Sequence, residues 1–236
     1  MLLLKIAMCF IMLSYASYSD WKTREVSDKL WILFSSVGIT LNIIELSLYF
    51  SLQFLTLVII SISLSSLISF ILYYFGFFGG ADMKALIVIS LLIPVYPYPV
   101  YYPSNYLHPF TSVISLTNGI FLTISLPIIF FTLNIVRLIH GKDIFSGFEG
   151  EKLWRKVLAC FLGYRASKAE KSHFFMSLEK TVDGKKRFHI SLLKDEEFTL
   201  GQDVWVTPGI PLLIFISLGF TSTILFGDFL TLLFRY

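Results

Sequence analysis

Apolar residues run along this chain in long stretches broken by short polar joints, without the one-sided stripe of a surface helix. Six runs, residues 2–19, 30–49, 52–76, 82–96, 111–138 and 209–233, have or approach the 17 to 25 residues or so that cross a bilayer. The pattern predicts an all-α polytopic membrane protein with six transmembrane helices. The first run ends in "SYASYSD" and passes almost at once into the second, so it reads as a retained helix and not as a cleaved secretory signal. The fourth is the shortest, and its start draws in the glycines of "FGFFGGADMKAL", residues 75–86. Between the fourth and fifth lies "PVYPYPVYYPSNYLHPF", rich in tyrosine and proline and without a formal charge, which suits an interfacial loop.

The pattern changes between Gly141 and Thr207. "EGEKLWRKVLACFLGYR" is a basic amphipathic stretch able to lie on a membrane surface. After it, in "HFFMSLEKTVDGKKRFHISLL", two β-type runs flank Asp183-Gly184, a dipeptide suited to a tight hairpin turn. "EEFTL" and "QDVWVT" are further short-strand candidates, and Pro208 and Pro211 open the last run. The expected organisation is helices one to five in residues 1–140, a soluble region with a small antiparallel sheet in 141–207, and the sixth helix in 208–236.

Composition agrees with a bilayer as the main solvent: 56% of the 236 residues are hydrophobic and 15% charged, against about 25% charged in soluble domains. The net charge of +3 is small and scattered, which gives no footprint for nucleic acid. Its distribution is more telling. Lys22, Arg24, Lys29, Lys84, Arg137, Lys142 and every basic residue from Lys152 to Lys194 fall on one side of a six-span layout, with only Lys5 and Arg235 on the other. Positive charge marks the cytoplasmic face, which puts both chain ends outside and residues 79–82 inside. Cys9 and Cys160 are expected at different depths, so no disulfide is expected. Neither they nor His108, His140, His173 and His189 form a metal-ligand spacing. "FSGFEG" and "FFGG" lack the Lys-Ser or Lys-Thr of a phosphate-binding loop.

Acidic residues in or beside spans are functional candidates, because an unpaired carboxylate there is costly. Glu45 and Asp228 lie toward the outer ends of their runs, within reach of water or headgroups. Asp20 and Asp82 share the cytoplasmic depth. Asp82 is also a natural helix cap, and Asp20 a natural solvated residue beside Lys22 and Arg24. Two apposed carboxylates can hold a single proton, one activating a water while the other protonates an amide oxygen, which hydrolyses a peptide bond without metal or covalent nucleophile. The same pair could instead relay protons in a coupled transporter or channel, although the spans carry no clear inverted repeat.

"GGADMK", Gly79 to Lys84, resembles the Gly-x-Gly-Asp motif of aspartic membrane proteases, and its Met-Lys the prepilin and archaeal preflagellin peptidase branch. "SYSDWKTREVSD", Ser17 to Asp28, resembles the segment of that branch carrying the first catalytic aspartate, and "WVTPGIPLL", Trp205 to Leu213, its last helix. The resemblance covers essentially the whole chain. It implies an aspartic endopeptidase with Asp20 and Asp82 as the catalytic pair, and Gly79, Gly80 and Ala81 at the substrate approach. Its implied substrate is a preflagellin (archaellin) or pilin-like precursor whose short basic leader is removed at the cytoplasmic membrane edge. Ala81 replaces the second motif glycine, and Ser27 stands where relatives often have proline. No cysteine-rich segment or methyl-donor signature is present, so cleavage without N-methylation and without a cofactor is expected. Glu25 and Asp28 are candidates to attract the leader's lysines, or equally a solvated loop of mixed charge.

Overall fold

The computed structural model describes residues 1–97, 107–166, 175–182, 185–189, 203–209 and 211–234. The apolar runs become helices: α1 (Leu2–Thr23), α2 (Asp28–Leu48), α3 (Leu52–Tyr74), α4 (Gly80–Leu92), α5 (Thr111–Thr123), α6 (Ser125–Ile139), α8 (Leu212–Phe226) and α9 (Phe229–Phe234). Between α6 and α8 come α7 (Leu153–Leu162) and the strands β1 (Tyr164–Ala166), β2 (Phe175–Ser177), β3 (Glu179–Val182), β4 (Lys185–Phe188) and β5 (Val204–Pro208).

Four helices among the described residues are long and apolar enough to cross a membrane: α1, α2, α3 and the run Thr111–Ile139. The expected runs 82–96 and 209–233 appear as helices of 13 and 15 residues, the second followed by the short α9. Proline is one cause: Pro94 disfavours helix at Ile93, where α4 stops. A glycine at positive φ is the other, since Gly227 (φ 94°) closes α8.

By contacts the chain divides into two units, residues 1–123 with 211–236, and residues 124–210. In the first, α4 is the inner helix. It packs on α1, α2, α3, α5 and α8, and Ala85, Leu86, Val88, Ile89 and Leu92 are all buried in a core shared with Met12, Leu13, Ile216 and Phe220. A helix of this length covered on all sides is a core helix, which does not need the length of a lipid-facing one. Its neighbour α3 is inverted relative to a soluble helix. Ser61, Ser65 and Ser69, one turn apart, are its inward face, while Ile59, Ile60, Leu67, Phe70 and Ile71 are exposed. Ser61 Oγ donates to the Pro94 carbonyl at 2.7 Å and Ser65 bonds to Ser112 of α5, so small polar residues form the helix contact, as in lipid-solvated bundles. The closest approach is α5 on α8. There a Cβ on Gly219 would lie 2.1 Å from the Ser115 carbonyl oxygen, and one on Gly119 would lie 2.8 Å from that of Phe215.

The second unit has α6, α7 and two small antiparallel sheets, ordered β1-β5-β2 and β3-β4. β5 is central, pairing Arg165 with Trp205 on one side and Met176 with Thr207 on the other. Trp205 is fully buried among Ile144, Phe148 and Phe188, and its indole N–H donates to the Ile144 carbonyl at 2.9 Å. Asn134 of α6 donates to the carbonyls of Cys160 and Gly163, tying α6 to the end of α7. The expected hairpin runs pair as β3 and β4, from Glu179 with Phe188 to Val182 with Lys185. Its Asp183-Gly184 turn lies outside the described residues, as do "EEFTL" and most of the tyrosine-proline loop. Pro208 ends β5, so Pro211 alone precedes the last helix, at its N-cap.

Candidate active site

Asp20 lies in the last turn of α1, four residues beyond Ala16, which is buried in the core. The helix runs on to Thr23, so Asp20 is a helical, buried residue at 9% exposure and not a solvated loop position. Arg24 caps the helix in the left-handed region (φ 59°), and its N–H donates to the Asp20 carbonyl at 3.0 Å.

Asp82 is the third residue of α4 and is 8% exposed. Its Oδ2 accepts the N–H of Gly79 at 3.0 Å, an N-terminal capping interaction. Its Oδ1 is buried without a hydrogen-bond partner among the described residues. Capping therefore occupies one oxygen and leaves the other, at the positive end of a helix dipole, aimed elsewhere. Because α1 packs on α4, Asp82 comes within electrostatic range of Asp20 and of Arg24, which also acts on Asp20. The site thus brings together the two expected carboxylates and one cation. Arg24 is the residue that sequence reasoning passed over. Its signal was the four-residue spacing from Asp20, which places the two within a turn of each other.

Gly79 has extended backbone (φ −75°), and a Cβ there would crowd Asp82 Oδ2 at 3.2 Å. A Cβ on Gly80 would meet nothing within 4 Å. Ala81 lies inside the helix and is not among the residues with positive φ, so the conformational freedom that alanine lacks is not required there. Ser27, the N-cap of α2, has φ −61°, a value proline would share.

Asp28 pairs with Lys84 at 2.5 Å, linking the start of α2 to the second turn of α4. Glu25 is exposed, and its backbone carbonyl accepts the Ser19 and Thr23 hydroxyls. Of the other two acidic candidates, Asp228 departs from expectation and Glu45, partly exposed near the end of α2, does not. Asp228 is fully buried, not at water, and accepts the N–H of Leu230 at 3.0 Å at the start of α9. Glu45 pairs with Lys5, itself buried, whose ammonium also donates to Asn42 Oδ1 at 2.7 Å. Lys5 is buried while Glu45 keeps a third of its side chain exposed, so the carboxylate satisfies the buried ammonium from the edge of the helix packing. Among the described residues, no three His, Cys, Asp or Glu side chains converge as a metal site, and Cys9 and Cys160 are both buried free thiols.

Apolar helices around a buried carboxylate pair fit two classes, a membrane-embedded peptidase and a proton-coupled carrier. Comparison with known proteins makes this specific. The type IV leader peptidase family model matches residues 7–136, and one described as archaeal peptidase A24 C-terminus type II matches residues 155–229. A preflagellin peptidase of Methanococcus maripaludis is 31% identical over 90% of this chain and 90% of its own. Those of Methanocaldococcus jannaschii and Methanococcus voltae are 30% and 31% identical, covering 90% of this chain and 89% and 91% of theirs. The chain belongs to the type IV leader peptidase family. It is a membrane protease of the prepilin peptidase type, which decides against the transporter alternative.

Proposed function

We propose that this protein removes the short basic leader from a preflagellin or pilin-like precursor at the cytoplasmic membrane edge, with Asp20 and Asp82 as its catalytic pair. One observation carries the reading: two buried carboxylates on packed helices stand within electrostatic range, one of them with a free, buried oxygen. Two carboxylates shielded from water ionise together only at high cost, so the pair holds one proton. The ionised member takes a proton from water as it attacks the scissile carbonyl. The protonated member donates to that carbonyl's oxygen, and the proton gained then passes to the leaving amine. The Arg24 guanidinium offsets part of the repulsion between the pair. The open side of Gly80 gives an extended substrate backbone room to approach.

The substrate class rests on the relatives' names and the motif resemblance. The reading includes six membrane crossings, with α4 and α8 as short inner spans, residues 141–207 in the cytoplasm and both ends outside. The lysine and arginine distribution supports that orientation. Asp28 is held by Lys84, so Glu25 is the better placed carboxylate to meet a basic leader.

Cleavage of a preflagellin in membranes by the wild type, Asp20→Asn and Asp82→Asn tests the assignment. Asparagine keeps size and polarity but cannot exchange the proton, so each variant is expected to lose roughly 100-fold or more in rate. Near-normal cleavage by either would reject the pair. In the same assay, Glu25→Gln is expected to slow a basic-leader precursor more than one with a neutralised leader. Equal slowing would remove Glu25 from leader binding.

A further inference from the structure

Away from the carboxylate pair, a group of charged side chains in the second unit surrounds a cavity of about 110 Å³. Arg137, Lys142, Asp143, Ile144, Arg165 and Asp203 line it. Arg165, on β1, is 8% exposed. One terminal nitrogen donates to Asp203 Oδ2 at 2.6 Å, and the other to the Asp143 carbonyl at 3.3 Å. Its Nε is buried with no acceptor among the described residues. Arg137, in the last turn of α6, donates to the Arg165 carbonyl and lies 5.2 Å from the centre of the Tyr164 ring. Lys142 is exposed and forms no ion pair among the described residues.

Three cations thus face two carboxylates across a cavity that still has an unmet buried donor. Burying an N–H without an acceptor costs roughly 1 to 3 kcal/mol, and an anion with several oxygens would supply one while balancing the excess charge. Guanidinium and ammonium groups together suit a phosphoryl group. Position narrows its source. Arg137 is two residues before the end of the apolar run Thr111–Ile139, and Lys142 three beyond it. That is where a spanning segment meets lipid headgroups, and basic pockets at that level hold anionic ones.

We propose that Arg137, Lys142 and Arg165 form a binding site for the phosphoryl group of an anionic phospholipid headgroup. Soluble phosphate shares the chemistry, so the test must separate the two.

The full-length protein, stripped of lipid in a maltoside detergent, would be titrated with phosphatidylglycerol, phosphatidylcholine and inorganic phosphate while its thermal unfolding midpoint is followed. Saturable stabilisation by phosphatidylglycerol is expected, roughly tenfold tighter than by phosphatidylcholine. Lys142→Ala should weaken it about fivefold at a near-unchanged midpoint without lipid, and Arg137→Gln with Lys142→Ala about 20-fold or more relative to that variant's own lipid-free midpoint. Because Arg165 is buried in its ion pair and Arg137 is half-buried against the Arg165 carbonyl, their removal touches folding as well as binding. Each variant is compared with its own lipid-free midpoint, the exposed Lys142 giving the cleanest reading. Equal response to both lipids, with saturation by phosphate alone, would overturn the lipid source. A phosphatidylglycerol response unchanged in the double variant would overturn the site.

Discussion

Asp82 divides its two oxygens: Oδ2 caps α4, while Oδ1 is buried without a hydrogen-bond partner among the described residues and is the oxygen open to the proposed chemistry. Its candidacy was legible from the glycines and the edge of an apolar run, and that of Asp20 from its depth. Burial and proximity were not, since both depend on helices joined by some 60 residues of chain. Glu151 is a purely structural counterpart. Its side chain is 4% exposed, and burial alone would raise its carboxyl. Hydrogen bonds from the Phe188 and Lys152 N–H groups, with Arg155 nearby, outweigh this and hold it below the usual glutamate range. A depressed carboxyl contributes stability that is complete above the unfolded value of about 4.3 and is lost as pH falls through the folded one. Acid titration of thermal stability in detergent should therefore show a smaller loss below about pH 4.3 for Glu151→Gln than for wild type, and a lower midpoint at neutral pH. Parallel curves would exclude Glu151 from the acid transition.

Among the elements, α4 and α3 show why apolar pattern alone misjudges membrane helices. Both read as hydrophobic runs, yet α4 is enclosed and short, while α3 turns serines inward and leaves isoleucines and phenylalanine exposed. Without water to drive apolar residues inside, close packing and hydrogen bonds decide which face is buried. The α5–α8 contact makes this testable. Gly219→Val would force a Cβ against the Ser115 carbonyl, where the obstacle is backbone and cannot rotate away. A loss of about 2 to 3 kcal/mol is expected in denaturant unfolding of the detergent-solubilised protein. A change within about 0.5 kcal/mol, typical of an unconstrained surface position, would show that this crossing is looser than described. The hairpin β3-β4 was the opposite case, since its two β-type runs flank a turn dipeptide and pair locally.

For the whole molecule, the proposed orientation follows from the placement of lysine and arginine. In a Cys9→Ala, Cys160→Ala background, a membrane-impermeant thiol reagent added to intact cells is expected to label Phe50→Cys, between α2 and α3, and not Lys152→Cys, before α7. The reverse pattern would invert the topology. The sequence by itself determined the bilayer as solvent, the helical character of the runs, the change of character after Gly141 and the family motif around Asp82. Each is carried by composition, period or neighbouring residues. The tertiary structure alone decided that α4 is the inner helix, that Asp20 and Asp82 share a site with Arg24, and that Lys5 and Glu45 satisfy each other. It also decided that Arg137, Lys142 and Arg165 surround one cavity. Those outcomes depend on which helices and strands pack together, and electrostatic and packing partners are set by distance in space, which local hydrophobicity does not encode.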